Sequence, residues 1–448
     1  MKQMMKNIFK YAFSFIVMMI LAIALLMLSS IIPKALIKNN VRISSEVLYD
    51  EGEYFFVNSL GRKLLFHNST DAIMLNIVYS MDDVNKFDSI MKARRNYIPG
   101  GNQQIVEDEV GNLLHEGEEF FMTEELAEYV NNNEEQKVYE YLRYWHGYIP
   151  VLRFMLIFGD IIHIRMFFQL MVFALLGLLF YGLVKKKHLW YAIAVLVSFF
   201  ALDVTTWVHN IQGMFVNILT LIYLCLMVFG KIDNKNFNFS LFIMGILIAY
   251  FDFLTVPLLS FLLPVIFYNL FYKNENKDFW SVFGRLFKNA LAWGCGYVLF
   301  WLLKWIIVDL IYGTEIVKLA INQILYRTGI NSTSGSTISL MIFSLSNNLF
   351  NYLDGYNFVL LIVLIVMRIS TVFETVLANG KTHDINLMVY YICMAAPYLW
   401  YLLTGDHSAQ HYVFTYRLQL AMVMSLGFVF VDGVERLIAA KKKESKND

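Results

Sequence analysis

The chain has 448 residues, 58% of them hydrophobic and only 16% charged, with 36 basic and 36 acidic side chains that cancel. A soluble domain carries about 25% charged residues, so this composition, with a mean hydropathy of +0.52, excludes an ordinary soluble protein. The balanced charge says nothing about a nucleic-acid partner, but no basic patch with interleaved aromatics appears, so none is expected. Cys225, Cys295 and Cys393 are far apart in apolar stretches and have the spacing of neither a disulfide framework nor a zinc site.

Lys2, Lys6 and Lys10 precede an apolar run from Tyr11 to Ile32. That run is too long for a signal-peptide core and lacks a clean cleavage site, so it reads as a retained signal-anchor helix. Further runs long enough to cross a bilayer fall near 164–184, 189–206, 212–230, 239–253, 255–272, 290–312, 356–373, 386–403 and 412–432. The expectation is an all-α integral membrane protein of about ten transmembrane helices, within eight to twelve, with a large α/β-mixed first loop. Short apolar pieces near 148–162 and 338–350 read as re-entrant or interfacial helices.

Basic residues in the connections orient these spans. Lys2, Lys6, Lys10, Lys185 to Lys187, Lys231, Lys235, Lys273, Lys277, Arg285, Lys288, Arg368, Lys381 and Lys441 to Lys443 all fall on one side of a ten-span arrangement. The expected layout is a cytoplasmic N-terminus and anchor (1–33), an extracytoplasmic domain (34–162), a membrane domain (163–433) and a basic cytoplasmic tail (434–448). Acidic residues outnumber basic ones in the extracytoplasmic domain, above all in 104–136, which reads as a solvated or mobile surface. The chain has no visible internal repeat, which weighs against an inverted-repeat transporter.

Polar residues collect in five clusters, and this topology puts all five on the outer face. They are His67 to Asp71; Tyr141 to Tyr148, followed by Arg153 and Arg165; Asp203 to Asn210; Phe251 to Thr255; and Thr404 to His411, followed by Phe414 to Arg417. Ionisable groups at a membrane are costly and so are functional candidates. The plainer alternatives are interfacial aromatics for Trp145, Tyr148 and Trp207, and a solvated or capping role for Asp203. Lys304 could snorkel or pair with Asp309. His407 and His411, at i and i+4, could share a helix face as metal ligands, but no third ligand stands at a defined spacing.

Such a one-sided collection suits a lipid-linked substrate with its head at the outer surface. Glycosyl transfer from a lipid phosphate needs a carboxylate base and cations on the departing phosphate. Asp71 is the first choice of base, then Asp203 and Asp252. Arg417, Arg153 and Lys304 are the phosphate contacts. His146, Trp207, His209, Asp406, His407, His411 and Tyr416 complete the sugar and acceptor site.

A retained first span, a long first outer loop and a bundle of further spans resemble the GT-C superfamily of membrane glycosyltransferases. The strings Tyr144-Trp145-His146-Gly147, Asp203-Val204-Thr205-Thr206-Trp207-Val208-His209 and His411-Tyr412-Val413-Phe414-Thr415-Tyr416-Arg417 are also similar to those of a group of bacterial multi-spanning proteins without a settled activity. The GT-C resemblance implies a polyprenyl-phosphate-linked sugar donor, a cell-envelope glycan, lipid or protein as acceptor, and a bacterial-type cytoplasmic membrane. It also implies a catalytic aspartate in the first outer loop. Some branches of the superfamily rely on a divalent metal and others on none, so no cofactor is assigned. The family's acidic motif is often two adjacent acids, whereas Asp71 stands alone between Thr70 and Ala72; the adjacent pairs here are Asp50-Glu51 and Asp82-Asp83. The competing expectations are a transporter or flippase of a lipid-linked glycan, with Lys304, Asp309 and Gln169 along its path, and a non-catalytic envelope-assembly protein that uses 104–136 as a contact surface.

Overall fold

The computed structural model describes the chain apart from residues 1, 82–84, 98–103, 108–112, 117–120, 132–136, 273–277, 333, 380–384 and 445–448. The chain is mostly helical. Helix α1 (Lys2–Ser29) leads into α2 (Lys34–Glu51). Helix α2 buries Ile37, Val41, Ser44, Ser45 and Leu48, a spacing that puts one face inward. Strands β1 (Tyr54–Ser59) and β2 (Arg62–His67) form an antiparallel hairpin that pairs Tyr54 with His67. Its two-residue turn, Leu60-Gly61, has φ of 46° and 82°, the backbone that matches the twist of paired strands.

Helices α3 (Ser69–Tyr79), α4 (Lys86–Lys92) and α5 (Met122–Asn131) and the ribbon of β3 (Arg94–Tyr97) with β6 (Lys137–Glu140) complete this hydrophilic part. Strands β4 (Gln104–Glu107) and β5 (Leu113–Glu116) form a third ribbon. Much of the acidic stretch 104–136 lies outside the described residues.

Helix α6 (Tyr148–Met155) carries Arg153, which is fully buried. Its guanidinium donates to the carbonyls of Ser29 (3.1 Å), Val78 (2.6 Å) and Ile32. One side chain thus ties the end of α1, the end of α3 and α6 together.

The bundle follows with α7 (Ile161–Lys185), α8 (Leu189–Ala201), α9 (Ile211–Val228), α10 (Phe237–Phe251), α11 (Leu259–Phe271), α12 (Phe279–Tyr312), α13 (Ile316–Arg327), α14 (Thr337–Leu353), α15 (Tyr356–Asn379), α16 (Leu387–Leu403), α17 (Gly405–Gln410), α18 (Tyr412–Thr415) and α19 (Leu420–Glu444). Among the described residues, five helices are long and apolar enough to cross a membrane: Met5–Ser29, Ile161–Lys185, Ile211–Val228, Phe279–Tyr312 and Tyr412–Ala439. A sixth crossing is made if α14 and α15, bent by 92° at their junction, act as one span. Helices α8, α10, α11 and α16 are apolar but hold only 13, 15, 13 and 17 residues. At 1.5 Å per residue they reach about 20 to 26 Å, short of a hydrocarbon core of roughly 30 Å. The protein is therefore an α-helical membrane protein, with five or six helices of full span among the described residues.

Helices α10 and α12 touch backbone to backbone. A Cβ on Gly245 would sit 2.2 Å from the Trp293 carbonyl oxygen, and one on Gly296 would sit 2.1 Å from that of Phe242. Only glycine allows this approach, the usual role of small residues between membrane helices. Basic side chains gather at the Phe237 end of the bundle. Lys10 reaches Asn236 at 3.2 Å, Lys186 lies over the Phe271 ring at 4.8 Å, and Arg285 lies over the Tyr268 ring at 5.3 Å.

Candidate functional site

At the other end of the bundle, under the hairpin, lies a cavity of about 470 Å³. Strand alternation supplies its roof. In β2, Arg62, Leu64 and Phe66 point into the fold, and the intervening positions point the other way. Leu65 and His67 therefore line the cavity, together with Tyr54 across the hairpin. Ser69, Thr70 and Ile73 come from the first turns of α3, and Tyr141 and Tyr144 from the segment before α6. Phe253 closes the floor between α10 and α11, where Leu254 has φ of 66°. His407, Gln410, His411 and Phe414 line the wall at positions i, i+3, i+4 and i+7, a single helical face. Arg327, the last residue of α13, completes it.

Arg327 Nη1 lies 2.5 Å from Nδ1 of His407, and His407 Nε2 lies 2.8 Å from the Leu254 carbonyl oxygen. Arginine only donates, so Nδ1 accepts and Nε2 carries the proton donated to Leu254. Burial pushes the His407 pKa well below its usual 6.5, and the Arg327 charge pushes it the same way. Burial also lowers His411 to about 3 and His67 to about 4. The imidazoles are neutral at pH 7, which leaves Arg327 as the only fixed charge among the lining residues. The rings of His407 and His411 stand 4.7 Å apart, and those of His67 and His411 6.4 Å apart. His67 Nδ1 is buried without a hydrogen-bond partner.

No carboxylate lines this cavity. Asp71 lies behind its wall, 2% exposed. It accepts the backbone N–H of Ile211 at 3.0 and 3.3 Å, at the N-terminus of α9. Its neighbour Thr70 and Ile211's neighbour Gln212 both line the cavity. Burial raises the Asp71 pKa to about 7, against the opposing pull of Arg165, 4.0 Å away, and of the Ile211 and Gln212 amides. Asp252 lies behind Phe253, where it accepts from the Thr255 amide at 3.0 Å and its hydroxyl at 2.5 Å.

Asp203 is placed elsewhere. It forms an ion pair with Arg62 and accepts the Tyr416 hydroxyl at 3.1 Å. Arg417 lies over the rings of Phe66 (5.3 Å) and Tyr416 (5.9 Å), and its charge reaches Asp203. His209 packs on Phe55 and Phe66 at 5.7 and 5.6 Å. These residues make a buried knot on the inner face of the hairpin, back to back with the cavity.

The other candidates hold structure. Trp145 donates to the Phe300 carbonyl at 2.8 Å and Trp207 to that of Leu202 at 2.6 Å. Trp145, Tyr148 and Trp207 are each 1% exposed, so they are interior residues and not an interfacial belt. His146 stands 3.0 Å from the Tyr148 hydroxyl and 2.8 Å from the Tyr141 carbonyl oxygen, so it shapes the aromatic wall from behind. Lys304 donates to the Met91 carbonyl at 2.7 Å and does not pair with Asp309, which accepts from the Ile316 and Val317 amides. Asp406 accepts from Ser332 at 2.9 Å and from Gln410 at 3.0 Å. Arg153 is the three-carbonyl tie already described. Of the candidates chosen by residue type, His407 and His411 line the cavity.

Comparisons with protein-family models, with curated proteins and with solved structures find no match to this chain. Any activity must therefore be argued from the cavity itself.

Four of the five polar clusters contribute lining residues; the Asp203 cluster does not. Sequence reasoning missed Arg327, Tyr54 and Gln212. The available signal for Arg327 was a lone cation ending the apolar helix Ile316–Arg327, just before Thr328-Gly329. Among the described residues no group of three or more His, Cys, Asp or Glu side chains could hold a metal ion. Both ring nitrogens of His407 are already engaged, so His407 and His411 do not form a ligand pair, and no step is assigned to a metal.

Proposed function

We propose that this protein is a GT-C-like glycosyltransferase that takes the sugar-phosphate head of a polyprenyl-phosphate donor into the cavity beside Arg327. The observation that carries this reading is the cavity's composition. One cation stands among neutral imidazoles, hydroxyls and six further aromatic rings, which suits an anionic phosphate next to a sugar. In the reaction, an acceptor hydroxyl oxygen attacks the anomeric carbon as the bond from that carbon to the phosphate oxygen breaks. The phosphate leaves with the electron pair, held by Arg327. Asp71 takes the hydroxyl proton once its side chain has left Ile211 and turned into the cavity beside Thr70. His67, His411 and Gln410 hold sugar and acceptor hydroxyls.

The same proposal places the cavity end outside a bacterial-type cytoplasmic membrane and both termini inside, with the four short helices crossing together with their flanking residues to complete ten crossings. The acceptor is a cell-envelope glycan, lipid or protein. A flippase is not favoured, because Lys304, Asp309 and Gln169 are each engaged in a separate local contact.

The test supplies purified protein in lipid nanodiscs with radiolabelled undecaprenyl-phosphate sugars and cell-envelope fractions as acceptors. Label should leave the lipid with wild type and stay on it with Arg327→Ala. Equal transfer by Arg327→Ala, or no transfer by wild type from any donor, would overturn the reading.

A further inference from the structure

The opposite end of the bundle holds a second constellation that the proposed transfer reaction does not use. Between α10, α11 and the start of α12 lies a polar cleft of about 470 Å³. Arg285 stands in it with one guanidinium nitrogen donating to Asn269 Oδ1 at 3.3 Å. Its Nε and Nη1 are buried and make no aligned hydrogen bond, with the Tyr268 side chain lying beside the guanidinium. Asn289, 2% exposed, presents an Nδ2 that is buried and unpartnered. Buried donors of this kind are costly unless something accepts from them. Among the described residues the nearby carboxylates are engaged elsewhere: Asp278 caps Ser281 at 3.1 Å and Asp233 accepts from the Asn236 amide at 2.8 Å. Neither lines the cleft.

An apolar groove of about 1060 Å³ runs on from this cleft between α1, α10 and α12. Asn238 and Lys288 line both spaces, so the two adjoin across these side chains. The groove walls include Phe15, Phe242, Leu291, Cys295 and Leu299. From Lys288 to Leu299 it follows about 16 Å of helix, close to one leaflet's half of a hydrocarbon core of roughly 30 Å. A cationic, donor-rich head space joined to an apolar channel one leaflet deep has the shape and charge of one kind of occupant. Basic pockets between membrane helices bind anionic lipid head groups in this way.

We infer that the cleft and groove form a binding site for an anionic phospholipid of the leaflet at the basic end of the bundle. Its phosphate sits against Arg285, Lys288 and Asn289, and an acyl chain lies along α1 and α12. This site is independent of the proposed transfer reaction.

The experiment reconstitutes the full chain in nanodiscs of phosphatidylcholine doped with phosphatidylglycerol, releases it into mild detergent and counts retained lipids by native mass spectrometry. Wild type should retain phosphatidylglycerol over phosphatidylcholine. The double substitution Arg285→Gln with Lys288→Gln should lower that retention by about tenfold, the scale of lost charge-assisted hydrogen bonds. Cys295→Trp, which fills the groove and leaves the charges in place, should lower it as well, and millimolar inorganic phosphate should not displace the lipid. Retention in the double variant equal to wild type would overturn the inference. So would retention unaffected by Cys295→Trp, or release by inorganic phosphate alone, which would mark a headgroup site without the groove. Unchanged thermal unfolding identifies folded variants; where the double variant fails to fold, Lys288→Gln alone is scored by the same retention.

Discussion

Arg327 donates to Nδ1 of His407 at 2.5 Å, which leaves the imidazole proton on Nε2, facing the Leu254 carbonyl. The pair joins the end of α13 to α17 and to the turn after α10. His407 should hold this tautomer, without gaining a second proton, as pH falls through its ordinary value of 6.5. Nitrogen NMR of histidine-labelled protein checks this, because an imidazolium signal appearing near that value would contradict it. Arg327→Ala should lower transfer by about 100-fold or more, the scale of one preorganised electrostatic contact. Arg327→Lys should restore part of the loss, because it keeps the charge but not the planar fork.

Asp71 makes two predictions of opposite sign. Its folded pKa of about 7 lies above the ordinary 3.8, so the folded state holds the proton more tightly than the unfolded one. Stability is then greatest below the ordinary value and declines as pH rises towards 7. A base must be deprotonated, so kcat/KM should rise through the same window. Asp71→Asn keeps an oxygen for the Ile211 amide and should fold, with a flattened stability profile. Its transfer should fall by about 100-fold or more, the usual contribution of a general base. Folded Asp71→Asn with wild-type transfer would leave Asp71 as the cap of α9 alone.

Arg153→Met removes the donors to three carbonyl oxygens while keeping much of the side-chain volume. Each buried acceptor left unpaired costs about 1 to 3 kcal/mol, so a loss of about 3 kcal/mol or more is expected in chemical unfolding. A proteolysis assay locates it: cleavage should appear first between α1 and α3, where the tie is lost.

Gly245→Ala and Gly296→Ala each place a methyl group within 2.2 Å of a carbonyl oxygen across the α10–α12 contact. Each should destabilise by about 1 to 3 kcal/mol, the range for overpacking. Gly294→Ala, whose Cβ meets nothing within 4 Å, is the control and should be neutral.

In a chain this apolar, polar residues are few enough to mark where a site lies, and four of the five clusters do meet at one cavity. Which side chain faces inward was less legible. Helix α3 turns about 100° per residue, so Thr70 faces the cavity while Asp71 faces α9. Arg153 looked functional because charges near a membrane are costly. Its partners are carbonyls 75 to 124 positions away, and carbonyls leave no trace in residue type. The apolar runs located the helices but not their spanning lengths. The run from 290 to 312 is the later part of a 34-residue helix, whereas the run from 255 to 272 holds a helix of 13.

The 34 residues of α12 make a rod about 51 Å long, well beyond a hydrocarbon core of roughly 30 Å. Its far portion is fastened to the hydrophilic part: Trp305 donates to the Arg143 carbonyl at 2.8 Å, Lys304 holds Met91, and Lys92 lies over the Tyr312 ring at 4.8 Å. One helix thereby serves as a mast, crossing the bundle and carrying the hydrophilic part at its far end.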